Sequence, residues 1–237
     1  MYIAALFALL VAIPLTMTDC RADSTPQSVV SSSLVAYWPG TSKINDVVGG
    51  NNGTPCGGVR LDTHEGAIGF DFDGKTGRIA VPDAPALAIT KSLAISAWIK
   101  LRANPTSLSF ILFRGDDRPG LDPYKLFVNP DGTLGLSISD ADGNEVQAIS
   151  PAPLPTGIWV FVAGSLDDST GTLSVYVNGT AVATRTTTIR PFGPLDPSKS
   201  PGLGIGNAQS GNYAACFNGL ISDLKLYNSV HPISTPN

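Results

Sequence analysis

The sequence predicts an all-β protein, a two-sheet antiparallel β-sandwich, on three observations. Apolar residues recur at every second position in short stretches such as Ile95–Lys100 and Leu173–Val177. This is the period of strands that are half-buried in a sheet. Gly, Asn or Asp closes each stretch, as tight turns require. No segment beyond the N-terminus shows a helical period, so we expect about twelve or more strands in two packed sheets.

Turns separate the alternating stretches, and the residues at these positions are of the types that turns require. Asn178-Gly179 supplies the two positive φ angles that a two-residue hairpin needs. Asn129–Gly132 and Asp140–Asn144 have the composition of turns, and Thr41–Gly58 is rich enough in Gly and Asn to be a loop. The predicted strands, in order, are Leu34–Trp38, Gly69–Asp73, Arg78–Val81, Leu93–Leu101, Phe110–Arg114, Tyr124–Asn129, Thr133–Ser139, Glu145–Ile149, Ile158–Leu166, Thr172–Val177, Thr180–Thr184, Leu203–Gly206 and Phe217–Tyr227.

The N-terminus reads as a targeting segment. Met1–Leu15 is nearly all apolar, but it is shorter than the ~20 residues of a membrane span. It predicts a signal peptide over residues 1–22, cleaved after Ala22, although the segment before the apolar core has no Lys or Arg. A lipoprotein processed at Cys20 and a retained N-terminal anchor are the alternatives. Residues 23–33 form a predicted flexible leader, 34–230 a single domain and 231–237 a C-terminal tail.

Charge excludes some classes of partner. Charged residues make up 14% of the chain and the formal net charge is −4. Because no basic stripe is present, we expect no nucleic-acid partner and no electrostatic membrane-surface site. No membrane span is expected in the mature chain unless the N-terminus is retained.

The order of the strand motifs carries a family resemblance. Leu34–Pro39, Ile95–Lys100, Gly171–Gly179 and Phe217–Asn228 follow one another as in the laminin-G-like jelly rolls of the concanavalin A-like lectin/glucanase superfamily, which the chain resembles over residues 34–228. One departure is Val160-Phe161, where many relatives carry histidines. The resemblance implies a concanavalin A-like jelly roll that is secreted or surface-exposed and serves carbohydrate binding, adhesion or assembly, and less often glycoside hydrolysis.

Two cysteines remain after removal of a signal peptide, Cys56 and Cys216. In an oxidising compartment an even pair predicts a disulfide. The resemblance implies a Cys56–Cys216 bridge, because the N- and C-terminal strands are neighbours in that fold. The alternative is two separate buried thiols.

Many proteins of the resembled family hold a structural calcium ion between the N-terminal loop and the final strand. Calcium needs several oxygen ligands from carboxylates and irregular backbone. Asp46, beside the loop 49–53, and Asp223 in the last strand are the predicted ligands, with Asp71 and Asp73 as runners-up. The alternative is that Asp46 caps a turn and Asp223 is solvated.

A sugar site would need an aromatic face beside planar polar side chains. Two loop-like excursions contain residues of these kinds, and ordinary polar loops are the alternative. The predicted ligand-binding residues are Arg114, Asp116 and Tyr124 in the first excursion, and Asn207 and Tyr213 in the second.

Catalysis has little support in the sequence. The glucanases of the resembled superfamily carry a Glu-x-Asp-x-x-Glu strand, whereas Asp140–Glu145 contains the turn-forming Asp-Gly-Asn. His64 and His231 have no nucleophile motif beside them. We therefore expect no catalytic residue and no enzyme activity.

The sequence thus predicts a non-catalytic binding module, carbohydrate-binding or adhesive, whose partner is a glycan or a surface protein. The alternative is a self-assembling structural subunit of an extracellular filament, surface layer or virion, and a glycoside hydrolase is less favoured. Asn52 and Asn178 fit N-glycosylation acceptors, although Asn-Gly also makes good turns.

Overall fold

A computed structural model describes residues 33–41, 43–62, 69–211, 214–230 and 233. The chain divides into two units, Met1–Ser31 and Ser32–Asn237, and every described residue belongs to the second. The predicted signal peptide, nearly all of the leader and most of the tail lie outside the described residues, as do His64, His231 and Tyr213.

The all-β prediction is confirmed. The described ranges contain fifteen strands and one short 3₁₀ helix, Pro85–Leu87, and no helix among them could span a membrane. The strands are β1 Leu34–Trp38, β2 Thr54–Cys56, β3 Val59–Asp62, β4 Gly69–Asp73, β5 Arg78–Pro82, β6 Leu93–Leu101, β7 Ser109–Gly115, β8 Tyr124–Val128, β9 Thr133–Ser139, β10 Glu145–Pro153, β11 Val160–Asp167, β12 Thr172–Val177, β13 Thr180–Thr186, β14 Gly202–Ile205 and β15 Asn218–Tyr227.

The strands form two antiparallel sheets. One sheet has eight strands in the order β13-β12-β11-β6-β15-β4-β3, with β1 also paired to β15. The other has seven strands in the order β10-β9-β8-β7-β14-β5-β2. Their apolar faces form one core between the sheets, which is the arrangement of a jelly-roll sandwich.

Alternation along each strand decides which side chains enter that core. On β8, Leu126 points into the sandwich, whereas Phe127 points to the outer face of the seven-stranded sheet. A second, smaller apolar cluster forms there, because residues 206–211 and 214–217 fold back over β7, β8 and β14. This outer cluster consists of Phe110, Phe113, Phe127, Ala208 and Ala215. It covers part of the outer face and leaves the side toward β10 uncovered by these residues.

Gly204 in β14 is required by this back-folding. A Cβ on Gly204 would lie 2.1 Å from the carbonyl oxygen of Asn207, so any side chain would push the segment off the sheet. The glycine therefore explains how the chain approaches the strand so closely.

Two strands were missed by sequence reasoning. β2 and β3 lie at the edges of the two sheets. β2 falls within Thr41–Gly58, whose Gly- and Asn-rich composition predicted only a loop, and no strand was predicted for Val59–Asp62. β2 is three residues long and contains Pro55, which an edge strand tolerates because one side of it makes no ladder hydrogen bonds. The predicted hairpin turn is confirmed, since Asn178 and Gly179 have φ angles of 49° and 78°.

Candidate functional site

The first excursion singled out in the sequence contacts the loop 191–201 at one end of the seven-stranded sheet. The backbone N–H of Asp196 donates to Asp116 Oδ2 at 2.9 Å, and that of Asp117 donates to the carbonyl oxygen of Lys199 at 2.8 Å. Gly115 and Gly202 are direct partners in the β7–β14 ladder.

Arg114 and Tyr124, however, lie in the core and not in exposed loops. Both are fully buried, because they share the inward-facing row of β7 and β8. The Arg114 guanidinium donates to Asp83 Oδ1 at 3.0 Å, and the Tyr124 hydroxyl donates to the carbonyl oxygen of Leu87 at 2.8 Å. Burial raises the pKa of Tyr124 above its ordinary value. The prediction that these side chains line a loop site is corrected, because neither reaches solvent.

Asp116 and Asn207 organise the loops from inside. Asp116 is fully buried and accepts hydrogen bonds from Arg118 Nε at 2.9 Å and Nη2 at 2.6 Å. Burial alone would raise the pKa of Asp116, but the Arg118 guanidinium and two backbone N–H groups hold it below its usual range. Asn207 is 2% exposed and its amide donates to Cys216 Sγ at 3.1 Å. As ligand contacts these residues stay a prediction, one that their burial disfavours.

Polar side chains that were not among the predicted ligand-binding residues project from the same sheet. Tyr124 and Leu126 face the core, so Lys125 between them faces outward, and the same alternation turns Ser137 and Ser139 of β9 outward. Lys125 and Ser137 are direct partners across the β8–β9 ladder. We call this outer surface the polar patch; its residues are Asp122, Lys125, Ser137, Ser139, Glu145 and Gln147.

A charge network holds the polar patch together. Lys125 Nζ lies 3.1 Å from Asp122 Oδ2 and 3.0 Å from Glu145 Oε1, so one ammonium group is shared by two carboxylates. Glu145 also accepts hydrogen bonds from the Ser137 hydroxyl and from Gln147 Nε2. Burial works to raise the pKa of Glu145, but these donors and Lys125 lower it overall. Burial raises the pKa of Asp122, because a single ammonium does not offset it.

Two oxygens of the polar patch have no hydrogen-bond partner although they are buried, Asp122 Oδ1 and Ser139 Oγ. A buried acceptor without a partner costs about 1–3 kcal/mol, so such atoms mark places where water or a ligand can bind. The side chain of Glu145 is 36% exposed, whereas those of Lys125 and Asp122 are about nine-tenths buried. The network is therefore open to solvent mainly at Glu145 and the partly exposed Gln147.

The sequence run considered for glycoside hydrolysis is a turn, as its composition predicted. Asp140 Oδ1 accepts hydrogen bonds from the backbone N–H groups of Asp142 and Asn144, at 3.0 and 2.9 Å. Glu145 then begins β10. The carboxylate of Asp140 is thus committed to the turn.

Asp46 is saturated by N–H donors. Both carboxylate oxygens are used, which matches the turn-cap alternative. Oδ1 accepts from the backbone of Tyr37, Val48 and Gly49 at 2.8, 3.0 and 3.1 Å, and Oδ2 from the backbone and side-chain amides of Asn51 at 2.9 and 2.7 Å. Burial opposes these donors, yet they lower the pKa of Asp46 below its usual range.

Asp223 occupies a β-bulge of β15 and has a φ angle of 52°. Its carboxylate accepts from Lys225 Nζ at 2.9 Å and from the Tyr37 hydroxyl. Burial, with Asp223 as the next cause, raises the pKa of Tyr37 to about 12. Asp223 is therefore tied to the neighbouring strand β1.

The runners-up for calcium are occupied in a similar way. Asp71 forms an ion pair with Arg102. Asp73 accepts from the backbone of Lys75, Thr76 and Gly77, and although burial opposes them these donors lower its pKa to about 2. Within the described residues, no three Asp, Glu, His or Cys side chains are grouped to hold a metal ion. This donor set does not fit calcium, and calcium binding stays a prediction.

Cys56 and Cys216 are both half-buried free thiols in the structure. Cys56 is the ladder partner of Arg78 at the start of β5, while the Cys216 thiol donates to the carbonyl oxygen of Lys75 at 3.0 Å. Both cysteines therefore lie near the β4–β5 turn, and the disulfide stays a prediction.

N-glycosylation also stays a prediction: Asn52 Oδ1 accepts from the Asp46 backbone, and Asn178 occupies the hairpin turn.

Asp46→Asn tests the role of the N-terminal loop. The substitution replaces one carboxylate oxygen by an amide NH₂ group, which then faces the N–H groups that the oxygen accepted from. We therefore expect the free energy of unfolding to fall by about 1–3 kcal/mol at pH 7. Because the folded pKa of Asp46 is lowered, its stabilisation is present above the ordinary pKa of about 4 and is lost as the pH falls through the folded value. Urea unfolding from pH 7 to pH 3 should show the two proteins converging in acid. An equal loss from Asp142→Asn, an exposed turn residue, would contradict this role.

The calcium prediction has a direct test. If a structural ion is present, removing it with EDTA lowers the melting temperature, and adding calcium restores it. An unchanged melting temperature in calcium-depleted buffer, followed by no increase on adding calcium, would contradict calcium binding.

The disulfide prediction is tested on the exported protein by mass spectrometry of peptides without reduction. A Cys56–Cys216 bridge closes a loop of about 160 residues and is expected to stabilise the fold by roughly 4–5 kcal/mol in the chain-entropy model. Two alkylatable thiols in that protein would contradict it, and Cys56→Ser should then leave stability unchanged.

Comparison with known proteins places the fold. Residues 73–232 match the laminin-G-like family model of the concanavalin A-like lectin/glucanases superfamily. Domain 4 of the extracellular arabinanase AbnA from Geobacillus stearothermophilus, solved with arabinotriose, is 21% identical, with a TM-score of 0.64 over 84% of this chain and 94% of that one.

Two further solved structures share the fold. The CBM40 domain of the Ruminococcus gnavus IT-sialidase, bound to α2,3-sialyllactose, is 19% identical, with a TM-score of 0.51 over 61% of this chain and 80% of that one. The receptor-binding domain of botulinum neurotoxin mosaic serotype C/D is 16% identical, with a TM-score of 0.62 over 84% and 48%. The matched region covers more than half of the sequence, and the chain therefore belongs to the laminin-G-like family of the concanavalin A-like lectin/glucanases superfamily.

Proposed function

We propose that this domain is a secreted or surface-exposed, non-catalytic carbohydrate-binding module that holds its ligand on the polar patch. One observation carries the proposal: polar side chains from three neighbouring strands converge on one outer sheet face, and two of their oxygens, Asp122 Oδ1 and Ser139 Oγ, lack a partner. A sugar hydroxyl both donates and accepts, so it can satisfy such atoms.

The dimensions of the polar patch suit a short oligosaccharide. Strands in a sheet lie about 4.8 Å apart, so the patch extends about 10 Å from β8 to β10. Along this line a ligand meets an ammonium group, a hydroxyl and an amide in turn, since Lys125, Ser137 and Gln147 are successive partners across the ladders. These groups provide the directed hydrogen bonds that give small-ligand sites their specificity.

The comparisons support a sugar ligand. The arabinanase domain was solved with arabinotriose and the CBM40 domain with sialyllactose. Both are saccharides, and both domains share the fold of this chain.

A binding role is favoured over hydrolysis because the carboxylates of the patch are not arranged as an acid and a nucleophile. Asp122 and Glu145 both contact the same ammonium group of Lys125. In a retaining glycosidase two carboxyl groups flank the bond that is cut, with an open gap of about 5–5.5 Å between them. Within the described residues, no feature favours the alternative of a filament, surface-layer or virion subunit.

A glycan array followed by calorimetry on the strongest ligand tests the proposal. Gln147→Ala and Glu145→Ala each remove a polar contact at the accessible part of the patch, so we expect each to weaken binding about tenfold. Asp142→Ala, in the exposed turn before β10, should leave the affinity unchanged.

Thermal melts of each variant establish that the fold is intact. The proposal fails if the wild-type domain binds no glycan on the array. It also fails if a glycan binds with the same affinity to the wild type and to both patch variants.

A further inference from the structure

The polar patch carries an imbalance of charge and of hydrogen-bonding capacity. Resting on the proposed function, we propose that the patch selects an uncharged, hydroxyl-rich saccharide and discriminates against saccharides that carry a carboxylate or sulfate. The argument depends on Asp122, Lys125, Ser139 and Glu145.

The charges of the patch leave no cation free for an anionic ligand. Lys125 Nζ contacts the carboxylates of Asp122 and Glu145 at 3.1 and 3.0 Å. The guanidinium group of Arg118, in the loop before β8, is held by Asp116 through two nitrogen atoms. A ligand carboxylate on the patch would therefore lie beside two like charges whose single counterion is already engaged, and such juxtaposition lowers affinity.

The unpartnered oxygen of Asp122 requires a donor. Asp122 is 6% exposed and Ser139 is 1% exposed, so a ligand reaches their unpartnered atoms by displacing the more exposed side chains of Glu145 and Gln147. A ligand hydroxyl then donates to Asp122 Oδ1, whereas an ionised carboxylate or sulfate has no proton to give; the Ser139 hydroxyl both donates and accepts and does not distinguish the two classes. The ligand that completes these hydrogen bonds is one with many O–H groups.

The positions of the two acceptors are fixed by the backbone. A Cβ on Gly115 would lie 2.9 Å from Asp122 Oδ1, so the glycine leaves the space over β7 that the carboxylate fills. On the other side, the backbone N–H of Ser139 donates to the carbonyl oxygen of Pro123 at 3.2 Å. These contacts hold Asp122 and Ser139 beside Pro123, and such preorganisation lowers the cost of ordering the site when a ligand binds.

The fold itself does not decide the class of saccharide. Among structures that share it, one domain was solved with the neutral arabinotriose and another with the acidic sialyllactose. Discrimination must therefore come from side chains, and those of the polar patch favour the neutral class.

Calorimetry with arabinotriose, lactose and α2,3-sialyllactose tests the inference, alongside the array, on the intact domain. Lactose and sialyllactose are a matched pair, because the second adds a carboxylated sugar to the first. We expect neutral probes to bind at least about tenfold more tightly than sialyllactose. Glu145→Gln removes one negative charge with little change of shape, so it should narrow that ratio several-fold. Asp122→Asn should narrow it as well, and it should weaken binding of the neutral probe.

Asp142→Asn is the charge-matched control, since it removes the same charge from an exposed turn outside the patch and should leave the ratio unchanged. Equal or tighter binding of sialyllactose by the wild type would overturn the inference and leave the proposed function standing. A ratio that does not move in Glu145→Gln or Asp122→Asn would do the same. If no saccharide on the array binds at all, the proposed function itself fails.

Discussion

Pairing by the last strand is the constraint on which the eight-stranded sheet depends. β15 is hydrogen-bonded to β6 along one side and to both β4 and β1 along the other. It can serve two strands on one side because it is ten residues long: Asn218–Ile221 pairs with β4, and the part after the bulge pairs with β1. The bulge at Asp223 separates these two halves, and its carboxylate holds Tyr37 of β1 in place. Without this strand the first and fourth strands would each lose a neighbour.

In the seven-stranded sheet, side chains that alternate along each strand are buried on both faces of the sheet. Every residue of β8 and β9 is buried, but only half of them face the sandwich. The other half divides into an apolar portion under residues 206–211 and 214–217 and the polar patch toward β10. One sheet thus contributes to the core, to the anchoring of a long loop and to the polar patch that we propose as the ligand site.

Much of this architecture was predictable from the sequence, because a period of two is a local signal. The strands from β4 to β15 were found from that period and their turn residues. β2 and β3 were not, because three- and four-residue edge strands in a Gly- and Asn-rich segment carry too little pattern. The polar patch that we propose as the site contains none of the predicted ligand-binding residues. Arg114 and Tyr124 have the chemistry of sugar-binding residues, but the ladder register turns both inward, and register is a property of distant pairings. The signal for Lys125, Ser137 and Ser139 was present as polar residues between buried apolar ones. It was read as ordinary alternation, because a solvated sheet face gives the same pattern.

The outer apolar cluster makes the two sides of the polar patch different. Phe113 is the direct ladder neighbour of Lys125, so the folded-back segment rises beside the ammonium group, while on the opposite side β10 is the final strand of its sheet. A ligand bound across the strands as proposed would therefore meet the folded-back segment on the side toward β7 and no further strand of the sheet beyond β10.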